Sequence, residues 1–332
     1  MTLTHKIYND LLASPDGDKK QISKRFDIAM KYIVYAASKR DNKRHLYFVI
    51  NQDDIDSMPS CNGIEIETVK LPEYDVNSYF CSLSQASGSE AYIFETIIED
   101  IRTKIVEKPT SSIPVIVSTT LRKWKDFFAK NKELIMSPER QQGLYGELRF
   151  LEFLIGIYGE KAVNFWTGCN FETHDFYVND NAIEIKTSST KAPYTMHISS
   201  EYQLDDKEVK GNLLLKFYAF RKSESDGEKL VEIICRIREQ IKDNPHALAK
   251  FNEGLEEYGY FDIVSDRYTM GYFNRMESTF NVCDAFPRIV PDNLGKGISK
   301  CTYEISVDQC VDYTIDLGQM QLILEREVIN DR

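Results

Sequence analysis

HDFYVNDNAIEIKTSS, residues 174–189, holds two short strand patterns that meet at the turn-forming trio Asn179, Asp180 and Asn181. The pattern predicts a β-hairpin. With Asp180 and Asn181 as the central turn residues, Tyr177 falls opposite Glu184 and Asp175 opposite Lys186. The period of two then gathers Asp175, Glu184 and Lys186 on one face. Phe176, Val178, Ile183 and Ile185 fill the other. Asp175 and Glu184 become diagonal neighbours with Cβ atoms roughly 7–8 Å apart, a gap that two carboxylates can bridge through one cation.

Such a trio suits a specific chemistry. Magnesium takes hard oxygen ligands, keeps several waters and is commonly held by one or two carboxylates together with substrate phosphate. The cation polarises a phosphoryl oxygen and acidifies water, and a neighbouring lysine orients that water or offsets developing charge. The expected cofactor is Mg²⁺, with Mn²⁺ as a substitute. The plain alternative is a solvated hairpin face with a cross-strand ion pair worth about 0.2–1 kcal/mol. Register separates the two, because a one-residue slip sends Asp175 to the face opposite Glu184 and Lys186.

Upstream, SPERQQGLYGELRFLEFLIGIYG (residues 137–159) predicts a helix capped by Ser137, with Pro138 in its first turn, Glu139 at the positive end of the dipole and Gly159 at its end. Leu144, Leu148, Leu151, Ile155 and Tyr158 recur at helical spacing. Glu147 lies about 60° round the wheel from Leu144, at the edge of this stripe, where an unpaired carboxylate costs on the order of several kcal/mol. It is the third candidate metal ligand, against a bland reading as a solvated or paired helix-edge glutamate. VNFW, DFYV and AIEIKTS read as three strands in a meander, NLLLKFYAF as a central strand and KLVEIICRIREQIKD as a helix. Past about residue 245 comes a helical piece, ALAKFNEGLEEYG, and then strands rich in Tyr, Phe, Ile and Val.

The first 135 residues read as a separate α/β domain that binds DNA or a partner: KRFDIAMKYIVYAAS as an amphipathic helix, HLYFVI as a buried strand and AYIFETIIEDIRTKIVEK as a helix. VIVS, after the loop EKPTSSIP, suggests one more strand. Two basic clusters (Lys19, Lys20, Lys24, Arg25 and Lys39, Arg40, Lys43, Arg44) are candidate DNA contacts, as is Trp124 within the basic run Arg122, Lys123, Lys125; solvated charge is the commonplace alternative. His174 and His197 read as structural groups or substrate contacts.

Bulk composition narrows the function. The chain has 332 residues, 42% of them hydrophobic, and a formal charge of −11 with pI near 5.1, which argues against non-specific coating of nucleic acid but not against a local basic path for a polyanion. Seven cysteines without a CxxC pair fit free thiols in a reducing cytoplasm rather than a zinc site or disulfide framework. The first residues lack the basic flank and apolar run of a signal peptide, and no apolar run approaches the ~20 residues that span a bilayer, so a cytoplasmic, non-membrane protein is expected. There is no GxSxG, HExxH or phosphate-binding glycine loop.

Asp175, eight intervening residues and then Glu184-Ile185-Lys186 resembles the bipartite motif of the PD-(D/E)XK nuclease superfamily, with His174 where a proline is usual. GLYGEL, HDFYV, AIEIKTSS and SSEYQL together resemble one bacterial family of that superfamily that accompanies restriction and phage-defence genes. The resemblance implies a restriction-endonuclease-like core over residues 136–240, a mixed central sheet flanked by helices, followed by a β-rich C-terminal extension over 241–332. It also implies Mg²⁺-dependent hydrolysis of DNA, with Asp175, Glu184 and Glu147 at the metal, Lys186 at the water and Gln203 orienting water or touching phosphate. Cutting both strands requires two such sites, hence a homodimer or other restriction and defence subunits. A non-catalytic DNA-binding or scaffold subunit and an RNA-directed nuclease are the competing expectations.

Overall fold

The computed structural model describes residues 2–14, 21–26, 33–38, 42–51, 54, 58–130, 133–170 and 172–325. Lys19, Lys20, Lys39 and Arg40 of the two basic clusters lie outside the described residues. Two compact units emerge: Met1–Leu134 with Asp262–Asp266, and Ile135–Phe261 with Arg267–Arg332.

In the first unit, helix α1 (Leu3–Ala13) precedes β1 (Gln21–Arg25), β2 (Ile33–Ser38), β3 (Arg44–Ile50), β4 (Ile64–Val69) and β5 (Tyr79–Gln85), an antiparallel sheet in the order β1-β2-β3-β5-β4. Two helices follow, α2 (Ala91–Glu107) and α3 (Ile113–Lys130). The stretch KRFDIAMKYIVYAAS, expected to be one helix, instead supplies the end of β1 and all of β2. Ile33 to Ala37 are buried without a break, so the run is a central strand covered on both faces, a pattern that apolar spacing alone does not separate from a helix. VIVS, expected as a strand, lies in the first turns of α3, whose buried Val117, Thr120, Leu121, Trp124 and Phe127 follow helical spacing. Trp124 is no stacking platform either, being 1% exposed with its indole N–H donated to Asp100 Oδ2 at 2.9 Å. Of the basic clusters, Lys43 pairs with Glu65 and Arg44 with Glu95.

The second unit is built on α4 (Pro138–Tyr158), β6 (Phe176–Val178), β7 (Asn181–Ser188), β8 (Thr195–Ile198), β9 (Leu213–Ser223), β10 (Glu228–Lys229), α5 (Leu230–Ile241), α6 (Pro245–Tyr258), β11 (Gly271–Val282), β12 (Tyr303–Ser306), β13 (Thr314–Ile315) and α7 (Leu317–Glu325). Its sheet runs β10-β11-β9-β7-β6, with β13 on β11; β7 and β9 are parallel and the other neighbours antiparallel. The fold is α/β, a mixed sheet flanked by helices as in restriction endonucleases. Because β11 pairs with β9 along its length, the segment beyond residue 240 contributes a strand to this sheet rather than only an appended layer. VNFW is not a strand: Gly159–Phe165 winds as a 3-10 helix with Ala162 and Val163 buried, and Trp166 alone bridges to Phe176.

Helix α4 starts where Ser137 Oγ accepts the Arg140 N–H and stops at Gly159, whose φ of 61° suits a residue without Cβ. It packs on the face of β7 that carries Ile185 and Thr187: a Cβ at Gly146 would stand 2.4 Å from Thr187 Cγ2, and Gln142 Nε2 donates to Thr187 Oγ1 at 3.0 Å. The opposite face, with Ala182, Leu215 and Phe217, packs against Met196, Ile198 and Ile305 of the β8–β12 pair. All seven cysteines are free thiols, and among the described residues no helix is long and apolar enough to cross a membrane.

Candidate active site

The hairpin forms, but two residues out of the expected register. Phe176 pairs with Ile183, Tyr177 with Ala182 and Val178 with Asn181, so Asn179 and Asp180 are the central turn residues. Asn179 takes the left-handed φ of 53°, which asparagine tolerates better than most residues. Asn181 is drawn into the ladder because its buried amide is used elsewhere: Oδ1 accepts from Asn212 N at 2.8 Å and Nδ2 donates to Ile323 O at 3.1 Å. A shift of two preserves the alternation, and Asp175 falls beside Glu184 rather than Lys186.

Asp175 stands one residue before the paired strand. Its Oδ2 accepts the Ile185 N–H at 2.7 Å, extending the edge of β7 with a side chain in place of backbone. A short strap holds it there: Thr167 and Gly168 donate their N–H groups to Asp175 O at 2.9 and 3.0 Å, and Thr167 Oγ1 donates to His174 O at 3.0 Å. Gly168 is needed for this approach. A Cβ there would meet Glu147 Oε2 at 2.6 Å and Asp175 Oδ1 at 2.9 Å, so both carboxylates border the same small space.

Glu147 reaches that space from α4 at 6% exposure. Its Oε2 accepts from Trp166 Nε1 at 2.7 Å and its Oε1 from the Tyr258 hydroxyl at 2.9 Å. Burial, and then the charge of Glu184, raise its pKa to about 7 against the two donors and Lys186, which lower it. Asp175 is likewise pushed well above the usual carboxylate range, first by burial and then by Glu184 and Glu147. Tyr258 is raised well above its ordinary value by its own burial and by both carboxylates, so it stays a proton donor.

Glu184, 2% exposed, turns Oε1 to Lys186 Nζ at 2.8 Å. Lys186 Nζ also donates to Gln203 Oε1 at 2.9 Å, and that oxygen accepts from Ser199 N and Oγ as well. The expected site residues are therefore brought together: Asp175 with Glu147 beside Gly168, Glu184 with Lys186, and Gln203 on Lys186. His197 is exposed on β8. Trp166, Tyr258 and Gly168 escaped the sequence reading, since nothing in their local patterns ties them to Glu147. A tryptophan and a tyrosine with polar tips that need partners are the only hint. Among the described residues no three or more His, Cys, Asp or Glu stand ready-made as a metal site.

No curated protein and no solved structure matches the chain. The model of one family, described as "Putative PD-(D/E)XK family member, (DUF4420)", matches residues 5–308. Members of the PD-(D/E)XK superfamily are usually nucleases and typically use divalent metals. The mixed sheet and the extent of that match lead to the same place: the chain belongs to this PD-(D/E)XK family.

Proposed function

We propose that the site around Asp175, Glu184 and Lys186 hydrolyses DNA phosphodiester bonds with Mg²⁺, or Mn²⁺ in its place, in restriction or phage defence. The observation that carries this reading is the crowding of Glu147 and Asp175 beside Gly168, next to the Glu184–Lys186 pair. Like charges held this close raise each other's proton affinity and are tolerated where a cation is to be held. Glu184 Oε2 fits the same reading, being a buried acceptor without a hydrogen-bond partner among the described residues.

Asp175 and Glu184 would hold the cation, with Glu147 supporting it. A divalent cation supplies Lewis acidity at the phosphoryl group and water of lowered pKa. Lys186, braced by Gln203 and Glu184, would supply positive charge to the attacking water or to the charge that develops on the phosphoryl oxygens. Gln203 acts by orienting Lys186, with its amide nitrogen left to face water or phosphate. Cleavage of both strands calls for a second copy or a partner subunit.

The test is plasmid nicking in Mg²⁺ by the wild type, Asp175→Ala and Lys186→Ala. A loss of about 100-fold or more is expected in each variant, and equal nicking by all three removes the assignment. One observation favours a second reading, a non-catalytic DNA-binding or scaffold subunit: Glu184 is engaged by Lys186 and no three-ligand group stands ready-made among the described residues. Titration with Mg²⁺ or Mn²⁺ separates them, since a scaffold shows no ion binding that depends on Glu184.

A further inference from the structure

The turn after β8 carries Gln203, whose Oε1 accepts from Lys186 Nζ at 2.9 Å and from Ser199 N and Oγ at 2.9 and 3.1 Å. The place of that oxygen therefore decides where the ammonium is held. Two residues earlier lies Glu201, 3% exposed. Its Oε1 accepts the Lys300 N–H at 3.1 Å and its Oε2 the Cys301 N–H at 2.9 Å.

Both bonds run to main chain, and the sheet explains the pairing. Strands β8 and β12 are antiparallel with Ile198 opposite Tyr303, so the same ladder carried three residues further sets Glu201 opposite Lys300. Backbone pairing stops short of that point, and the carboxylate takes its place. Lys300 contributes by adopting the left-handed φ of 61°. Such a conformation turns successive N–H groups toward one anion, and a residue with a Cβ adopts it at a cost. On the other side of Gln203, Leu204 is fully buried and its carbonyl accepts from Arg288 Nη1 at 2.7 Å. Arg288 in turn ion-pairs with Asp206 Oδ1 and Asp284 Oδ1, each at 3.1 Å. Between these fastenings Tyr202 is 53% exposed. A buried carboxylate is costlier than an apolar side chain unless it is well hydrogen-bonded; what it supplies here is a fixed turn.

We infer that Glu201 is a positioning residue for Lys186: by closing on the N–H groups of Lys300 and Cys301 it fixes the turn from which Gln203 holds the ammonium beside Glu184. The inference rests on Lys186 serving the proposed hydrolysis. Residues 300 and 301, far along the chain from the Asp175–Lys186 hairpin, thereby govern the geometry of the site.

The full-length wild type, Glu201→Ala, Glu201→Gln, Gln203→Ala and the double variant Glu201→Ala/Gln203→Ala are compared in two assays. One is plasmid nicking in Mg²⁺; the other is acylation of lysines by acetic anhydride, read by peptide mass spectrometry. Lys216, on β9 and 7% exposed, reports on the integrity of the fold. Glu201→Ala should raise the acylation rate of Lys186 about fivefold or more with Lys216 unchanged, and lower nicking about tenfold or more. Gln203→Ala should do the same, and the double variant no more than either, because both act through one contact. Glu201→Gln keeps one acceptor and should fall between wild type and Glu201→Ala. Overturning results are Lys186 acylated at the wild-type rate in both Glu201 variants, losses that multiply in the double variant, or Lys216 rising in parallel with Lys186 in both Glu201 variants. The assays also separate the two levels. If acylation follows this pattern while Lys186→Ala nicks like the wild type, the hydrolytic reading falls and takes with it the part of Glu201 in the reaction. If Lys186→Ala loses nicking but Glu201→Ala keeps wild-type nicking and acylation, only the role of Glu201 falls.

Discussion

Glu147 carries the most informative chemistry of any single side chain here, because its proton affinity is tied to burial and to the charge of Glu184. Held to about 7 in the folded protein against an ordinary value of 4.5, it keeps a proton that the unfolded chain has already released. Its effect on metal-free stability is therefore most favourable at or below about pH 4.5, declines as pH rises through the window to 7, and levels off above it. Asp175, also raised, acts in the same direction. Thermal unfolding in chelator should show a midpoint that falls with pH across that window, and Glu147→Gln should flatten the fall; a wild-type midpoint that climbs steadily from pH 4.5 to 7 with no difference from Glu147→Gln contradicts the burial argument. Gly168 offers a second probe. A methyl group there would sit 2.6 Å from Glu147 Oε2 and 2.9 Å from Asp175 Oδ1, so Gly168→Ala must push the two carboxylates apart. Nicking should drop about 100-fold, as for an ångström-sized misplacement, with the fold preserved by circular dichroism; unaltered nicking would mean the space beside Gly168 is not used. The candidates Asp175, Glu184, Lys186 and Glu147 were legible in the sequence because strand and helix periodicity assign faces locally. Trp166, Tyr258 and Gly168 were not, because each reaches Glu147 or Asp175 only through tertiary packing.

Among the elements, the approach of α4 to β7 decides whether Glu147 reaches the sheet edge at all. Two glycines of the same helix test it against each other. At Gly146 an added Cβ would lie 2.4 Å from Thr187 Cγ2, whereas at the exposed Gly156 nothing lies within 4 Å. Alanine at either gains about 1 kcal/mol of helix propensity, but overpacking costs about 1–3 kcal/mol. Gly146→Ala should therefore be net destabilising in urea denaturation, and Gly156→Ala stabilising by up to about 1 kcal/mol. The opposite order would mean that the helix is not seated on the strand through Gly146. The same distinction between exposed and enclosed segments explains which elements could be read in advance. Helix α4 has a cap, a first-turn proline and a terminal glycine, and the β6–β7 hairpin has its turn residues, so both announce themselves. The apolar run of β2 is covered on both faces and shows no period that distinguishes strand from helix. The β-branched start of α3 invites a strand until the spacing of Leu121, Trp124 and Phe127 is followed.

The family match runs over residues 5–308 and so includes most of both compact units, which makes the N-terminal sheet part of what this family is rather than an addition to a nuclease core. In that unit the sequence foretold the buried strand β3 and the helix α2 but not the antiparallel sheet that joins the strands, whereas the second unit could be argued outward from one hairpin. Charge sets the constraint on how such a protein meets its proposed substrate. With −11 formal charges overall and a site whose Glu147 and Asp175 ionise only as pH rises or a cation enters, the protein offers a phosphodiester little attraction until a cation is bound. Phosphate affinity should therefore be conditional on metal. Fluorescence anisotropy with a labelled duplex in chelator is expected to show weak binding. Ca²⁺, a hard cation that occupies oxygen sites and commonly fails to support cleavage, should tighten it about tenfold or more. Glu184→Ala should lose most of that gain, because it removes a ligand of the cation. Equally tight binding in chelator and in Ca²⁺ would place the main DNA contact elsewhere on the chain, and the acidic cluster would no longer be the reason the protein engages nucleic acid.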